Sequence, residues 1–394
     1  MIEVEEALAR VLALVAPLGA ETVALRDALG RVLAAPVTAR ADQPPFAASA
    51  MDGYAVAAPD LRPGARLALG PEIPAGATPS GPLPPGTAAR VFTGAAVPPG
   101  TAAVIIQEVV CAQAGTITLP DPLPRETHIR PQGQDFAQGD SFQPARPLRP
   151  ADLGLIAAMN LAEVSVHRRP EVAILSSGDE LVWPGEDPGP AQIVASNSLA
   201  LAGMVTAAGG VPRMLPLARD SVESLSDVLA LSAGCDLIVS SGGASVGAHD
   251  VLARHAAELG LELDFARVAM RPGKPLMAGR RHGVPMLGLP GNPVSALVTA
   301  TLFLRPMLAR MQGLEARPRP DRGVLGAPLP ANGPRRHYLR ATLARDAQGQ
   351  PVLTPFAHQD AGRQRLLAEA DALVIQPANG PALPTGAEVD FLPL

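Results

Sequence analysis

Residues 235–260 read CDLIVSSGGASVGAHDVLARHAAELG. The run CDLIVSS is short and apolar, as a strand buried on both faces is, and HDVLARHAAELG spaces its apolar residues as a helix does. Between them lies SSGGASVGAHD (240–250), a loop of almost wholly small residues. Strand, glycine-rich loop and helix in that order form one step of a parallel α/β sheet.

The alternation continues outward on both sides. EVAILS (171–176), VPRMLPL (211–217) and VPMLGLP (284–290) read as strands. NSLALAGMVTAAG (197–209), SVESLSDVLALSA (221–233) and PVSALVTATLFLRPML (293–308) read as helices. Residues 171–316 are therefore expected to form an α/β domain, a parallel sheet with helices on both faces. Beyond it, HYLRATL, PVLTPF, DALVIQP and EVDFLPL predict a small barrel-like β domain over 317–394. Upstream, RLAL, ARVFT, AVIIQEVV and TITL sit between Pro/Gly turns and predict an irregular β domain over 43–144. Residues 1–42 with 145–170 remain as a helical linker domain. Its expected helices are EVEEALARVLALV, LRDALGRVLAAPV and one opening at RPAD with Asp152 in its first turn. The fold class is thus multidomain, α/β plus β.

Bulk properties exclude several functions. At 394 residues the chain exceeds one ordinary core. A net charge of −5 argues against a nucleic-acid binder. Cys111 and Cys235 stand apart, with neither CxxC nor HExxH, so no zinc site or disulfide framework is expected. The opening MIEVEEALAR is acidic and amphipathic, unlike a signal peptide. The uncharged run His282–Leu304 carries Pro285, Pro290 and Pro293, which argues against one membrane-spanning helix. A soluble cytoplasmic protein is expected.

Ligands of open α/β sheets bind beyond the carboxyl ends of the strands. Three loops fall there: SSGDEL (176–181), SSGGASVGAHD and LPGNPVS (289–295). They offer Ser177, Gly178, Gly242, Gly243, Ser245, Pro290, Gly291 and Asn292 as candidate binding residues. Backbone N–H groups of the second loop can approach an anion closely. Asp250 reads either as a helix N-cap or as a carboxylate holding a divalent cation, and Glu180 and Asp179 pose the same choice. Asn292 can cap a helix that Pro293 begins, with a ligand role equally open. Between the second and third loops, VAMRPGKPLMAG (268–279) holds Lys274, the only lysine in a chain that otherwise uses arginine. Arg267, Arg271 and Lys274 read as a solvated edge or as an oxyanion pocket, where a compact ammonium serves differently from a planar guanidinium.

Seven motifs in order, PPFAASAMDGYAV (44–56), RVFTGAAVPPG (90–100), IRPQGQDFAQGD (129–140), ILSSGDEL (174–181), SSGGASVGAHD, MRPGKP (270–275) and GLPGNPVSAL (288–297), resemble the MoeA family of molybdopterin molybdenumtransferases. The resemblance covers nearly the whole chain. It implies insertion of molybdate into adenylylated molybdopterin with release of AMP, assisted by Mg²⁺ or another divalent cation. It implies a homodimer whose cleft lies between the β domain of one subunit and the α/β domain of the other. Molybdopterin adenylyltransferase and molybdoenzyme maturation proteins are the implied partners, with no nucleic acid and no membrane. By the same resemblance, Asp52 and Thr93 serve from the β domain, and Glu180, Asp220 and Asp250 from the α/β side. Glu180 and Asp250 are the implied metal carboxylates. Arg267, Arg271 and Lys274 face anions, and Arg340 enters from the C-terminal domain. Alternative readings are an adenylyltransferase or a non-catalytic cofactor carrier or scaffold. The chain departs from the family with Arg271 in place of Lys, Ala47 and Ala48 in place of polar residues, Ala102 in place of Asp and Ala361 in place of Ser.

Overall fold

The computed structural model describes residues 1–243 and 251–394. Its central sheet has six strands in the order Val211–Met214, Glu171–Ser176, Leu237–Ser241, Val284–Leu289, Pro275–Arg281, Leu261–Arg267. The first four are parallel. Pro275–Arg281 runs antiparallel to both its neighbours, so the sheet is mixed where a parallel one was expected. The cause is local: His282 and Gly283 both adopt positive φ, 47° and 83°, and turn the chain straight back as a two-residue hairpin.

Alternate residues of each strand feed opposite cores. Val172 and Ile174 join Leu201, Val205 and the long apolar helix on one face, while Ala173 and Leu175 join Leu225, Leu229 and Leu252 on the other. Helices therefore cover both faces as expected. Val4, Ala7 and Val11 of the N-terminal helix Val4–Ala13 also pack into the first of these cores.

The run 282–304 splits as its prolines dictate, into the strand Val284–Leu289 and a helix that begins at Pro293. That helix continues to Met311; it is long and apolar enough to cross a membrane, but 78% of its most apolar 18-residue stretch is buried inside the protein. A π-helical turn at Ala300–Leu304 precedes Pro306, which has no N–H to donate to the preceding turn.

The C-terminal strands close on themselves as a five-stranded barrel through the pairing of Arg336–Arg345 with Ala372–Gln376. Met270–Arg271, from the MRPGKP stretch, adds a parallel strand to Arg336–Arg345, with Arg271 opposite His337. The anion-turn candidate is thus fastened to the barrel. The β domain is built on Thr101–Ile106, Gly53–Ala57, Thr87–Val91, Arg66–Ile73, Thr116–Thr118 and Cys111–Gln113, in that order.

The linker departs most from expectation. LRDALGRVLAAPV is not a helix: it holds one 3₁₀ turn, Leu25–Asp27, then bends at Gly30 with φ 72°. Just before it, Ala20–Ala24 pairs antiparallel with Glu163–His167. Ala28 and Leu33 are buried against Ile156, Val164 and Val166 by this distant pairing, which outweighs the local helical spacing. Asp152 does open a helix, Pro150–Ala158, by accepting from the Arg149 N–H at 2.6 Å.

Candidate functional site

A cleft of about 560 Å³ opens at the carboxyl ends of Glu171–Ser176, Leu237–Ser241 and Val284–Leu289. All three predicted loops line it, through Ser177, Gly178 and Glu180, Gly242 and Gly243, and Pro290, Gly291 and Asn292. Asp220 lines it as well. Ser245 and Asp250 lie outside the described residues.

The loops are built on one another. Ser177 is buried and continues its strand into a bridge with Ala218, and its N–H reaches Ser241 O at 3.4 Å. Gly242 bends with φ 93° directly beneath it. The Glu180 carboxylate folds back over Gly178, 2.6 Å from where a β-carbon there would project. The Asp220 N–H donates to Asp179 Oδ1 at 3.2 Å, joining the carboxylate wall to the next helix start.

Asn197, which the motifs did not single out, ties two loops together. Its Nδ2 donates to Ser241 Oγ and to Gly291 O, both at 2.8 Å, and its side chain lines the cleft. The signal in the sequence was a polar pair, Ser196-Asn197, opening a helix of otherwise apolar and small residues. Asn292 occupies the N-cap position before Pro293, but its side chain makes no capping bond. It is exposed at the cleft instead.

The cationic residues sit on a hairpin beside the cleft. Arg267 pairs with Pro275, a cleft-lining residue, and Val268 N–H donates to Lys274 O at 3.0 Å. Arg267, Arg271 and Lys274 are all exposed, and the Lys274 ammonium has no ion pair among the described residues. Behind Arg271, His337 is buried and held neutral, its pKa pushed down to about 4 by burial and by Arg271, Arg335 and Arg340.

Arg340, which the resemblance brings to the site from the C-terminal domain, is only 1% exposed within this chain. Its Nη1 donates to Arg363 O at 3.1 Å, its Nη2 to Asp360 O at 3.0 Å, and its Nε to Gln359 Oε1 at 3.3 Å. A buried arginine survives only if its donors are satisfied, and these carbonyls satisfy them. The loop it holds still reaches the cleft. Ala361 O accepts from Val294 N–H, and Gln364 Nε2 donates to Ser196 Oγ at 2.7 Å. The Ala361 departure therefore keeps a backbone contact at the helix start.

Asp52 and Thr93 meet in the β domain. Thr93 N–H and Oγ1–H both donate to Asp52 Oδ1 at 2.8 Å, and these bonds hold the Asp52 carboxyl below the usual range. No described residue of 43–144 lines the cleft. Within one chain the structure brings Asp52 and Thr93 to each other, and not to Glu180 or Asp220.

Known proteins resemble this chain throughout its length. Three family profiles match in order: the MoeA N-terminal region (domains I and II) at 2–160, a probable molybdopterin binding domain at 173–310, and the MoeA C-terminal region (domain IV) at 322–394. A molybdopterin molybdenumtransferase of Nostoc sp. is 38% identical over 305 residues, 75% of this chain and 70% of that protein. Molybdopterin molybdenumtransferase 2 of Mycobacterium tuberculosis is 37% identical over 387 residues, 93% of each. The crystal structure of a molybdopterin biosynthesis MoeA protein from Pyrococcus horikoshii matches with a TM-score of 0.85 at 31% identity, covering 100% of this chain and 99% of that one.

Proposed function

This chain belongs to the MoeA family of molybdopterin molybdenumtransferases, enzymes of molybdenum cofactor biosynthesis, and we propose that its strand-end cleft inserts molybdate into adenylylated molybdopterin with loss of AMP. The observation that carries this reading is the division of charge around the cleft. Carboxylates Glu180 and Asp220 line it, while Arg267, Arg271 and Lys274 project from the hairpin that contributes Pro275 to its wall.

That division suits the chemistry. Molybdate is a dianion and the phosphoanhydride-type substrate is also anionic, so their approach needs fixed positive charge. Lys274 and Arg271 supply it without an intervening nucleophile. The small residues of the three loops admit phosphate oxygens close to the backbone. Among the described residues no group of three His, Cys, Asp or Glu could hold a metal alone. The oxygen donors of Glu180, with Asp250 beyond the described residues, suit Mg²⁺, which is ordinarily bound by one or two carboxylates plus substrate phosphates. When bound it neutralises phosphate charge.

Asp52 and Thr93 complete the reading as a homodimer. Each β domain would present them to the cleft of the partner, since neither reaches the cleft of its own chain. The surroundings are the cytoplasm, with the adenylyltransferase supplying substrate and molybdoenzyme maturation proteins receiving product.

The test is anaerobic. Purified protein is mixed with adenylylated molybdopterin and Mg²⁺, and AMP is followed with and without molybdate. Molybdate-dependent AMP release, yielding cofactor that activates an apo-molybdoenzyme, is expected. Tight pterin binding with no AMP release would reject the transferase reading in favour of a carrier.

A further inference from the structure

The β-domain pair does not stand alone. Arg90 lies directly opposite Tyr54 in the antiparallel pairing of Thr87–Val91 with Gly53–Ala57. Its guanidinium carbon sits 5.0 Å from the Tyr54 ring centroid and 5.1 Å from that of Phe92. Both distances fall within the range of cation–π attraction. The guanidinium also donates to Gly53 O at 3.4 Å and to Gln107 Oε1. Gln107 N–H in turn donates to Asp52 O at 3.1 Å.

Arg90 therefore grips the neighbours of both functional residues. Gly53 follows Asp52, Phe92 precedes Thr93, and Gln107 holds the Asp52 carbonyl. No carboxylate forms an ion pair with Arg90 among the described residues; the Thr93 bonds do most to lower the Asp52 carboxyl, and the Arg90 charge adds to them. A planar fork flanked by aromatic rings can make these contacts together, whereas an ammonium would keep the charge and lose the fork.

We propose that Arg90 is a positioning residue for the reaction: it fixes the Asp52 carboxylate and the Thr93 hydroxyl in one geometry. The inference rests on the reading that Asp52 and Thr93 serve molybdate insertion. Arg90 bonds to Gly53 and Gln107 and packs on Tyr54 and Phe92, so its effect passes through Asp52 and Thr93 beside them. The purpose is exact placement, since a displacement of about 1 Å at a reacting centre can cost ~100-fold in rate.

The experiment uses the full chain, with Arg90→Gln, Arg90→Lys, Gln107→Ala and Asp52→Asn compared for molybdate-dependent AMP release. Alongside, the Thr93 methyl resonance reports the titration of Asp52 in the intact protein, and thermal unfolding checks that each variant folds. Arg90→Gln is expected to lower kcat by ~10-fold or more with KM little changed, and to raise the midpoint sensed at Thr93. Arg90→Lys should keep the midpoint near that of the wild type but recover only part of kcat. Gln107→Ala should lower kcat without moving the midpoint, because it removes an anchor and no charge. The proposal is overturned alone if Asp52→Asn is inactive while both Arg90 variants keep the wild-type rate and midpoint. If Asp52→Asn itself releases AMP at the wild-type rate, the role of Asp52 and the proposal fall together.

Discussion

The carbonyl oxygen of Ser177 lies 2.8 Å from the point where a β-carbon on Gly242 would stand. Backbone of the first loop thus occupies the space that any side chain at 242 would need, and Gly242 has φ 93° besides. Gly242→Ala is expected to cost about 1–3 kcal/mol from the backbone conformation alone, with the clash added to it. The two loops must then part, so affinity for molybdopterin should fall as well. Denaturant unfolding and pterin binding check this. Wild-type values in both would show that the loops are not locked together.

Lys274 gives the opposite expectation, a loss of function without a loss of stability. Its turn is anchored elsewhere: a β-carbon on Gly273 would meet Thr299 Cγ2 at 2.3 Å, and Lys274 O accepts from Val268 N–H. The ammonium itself is exposed and makes no ion pair among the described residues. Lys274→Ala should change unfolding stability by no more than about 0.5 kcal/mol, yet slow molybdate-dependent AMP release ~100-fold. Lys274→Arg should recover part of the rate. Full recovery by arginine would show that the single lysine carries no geometric requirement.

Much of this architecture was legible in the sequence because it is local. Apolar strand runs, small-residue loops and helix starts each fit within a few residues, and the three cleft loops follow from them. Distant pairing was not legible. Nothing near Leu25 announces a strand partner beyond Glu163, and nothing in MRPGKP announces that Met270–Arg271 will join a barrel strand at Arg336. The site shows the same division. Asp52 and Thr93 were found through their motifs, and they are bonded. Arg340 was placed at the site by the family resemblance alone, and within this chain its guanidinium holds backbone carbonyls. Arg90 and Asn197 act through contacts with residues 37 and 94 positions away, at Gly53 and Gly291, which no local pattern records.

For Arg340 the expected result is structural. Removing the guanidinium removes its bonds to Asp360 O and Arg363 O and loosens the loop that reaches Val294. Arg340→Ala should cost about 3 kcal/mol of stability and expose residues 356–364 to proteolysis. Any loss of AMP release should follow the loosened loop. A variant of unchanged stability and protease resistance that fails only to bind molybdate would restore Arg340 as a ligand contact.

His337 sets the pH dependence of this junction. It is buried in the C-terminal barrel opposite Arg271, and burial together with Arg271, Arg335 and Arg340 lowers its pKa from 6.5 to about 4. Above pH 6.5 the imidazole is neutral whether the chain is folded or not, and it carries no penalty. As pH falls below 6.5 the unfolded chain takes up a proton that the folded chain refuses, so stability declines until the folded form also protonates near pH 4. The full difference is about 3 kcal/mol. Denaturant unfolding between pH 7.5 and about 4 should show this loss in the wild type, and His337→Leu should remove about that much of it. An unaltered pH profile in His337→Leu would assign the acid sensitivity to other groups and show that burial and the three arginines do not hold this histidine neutral.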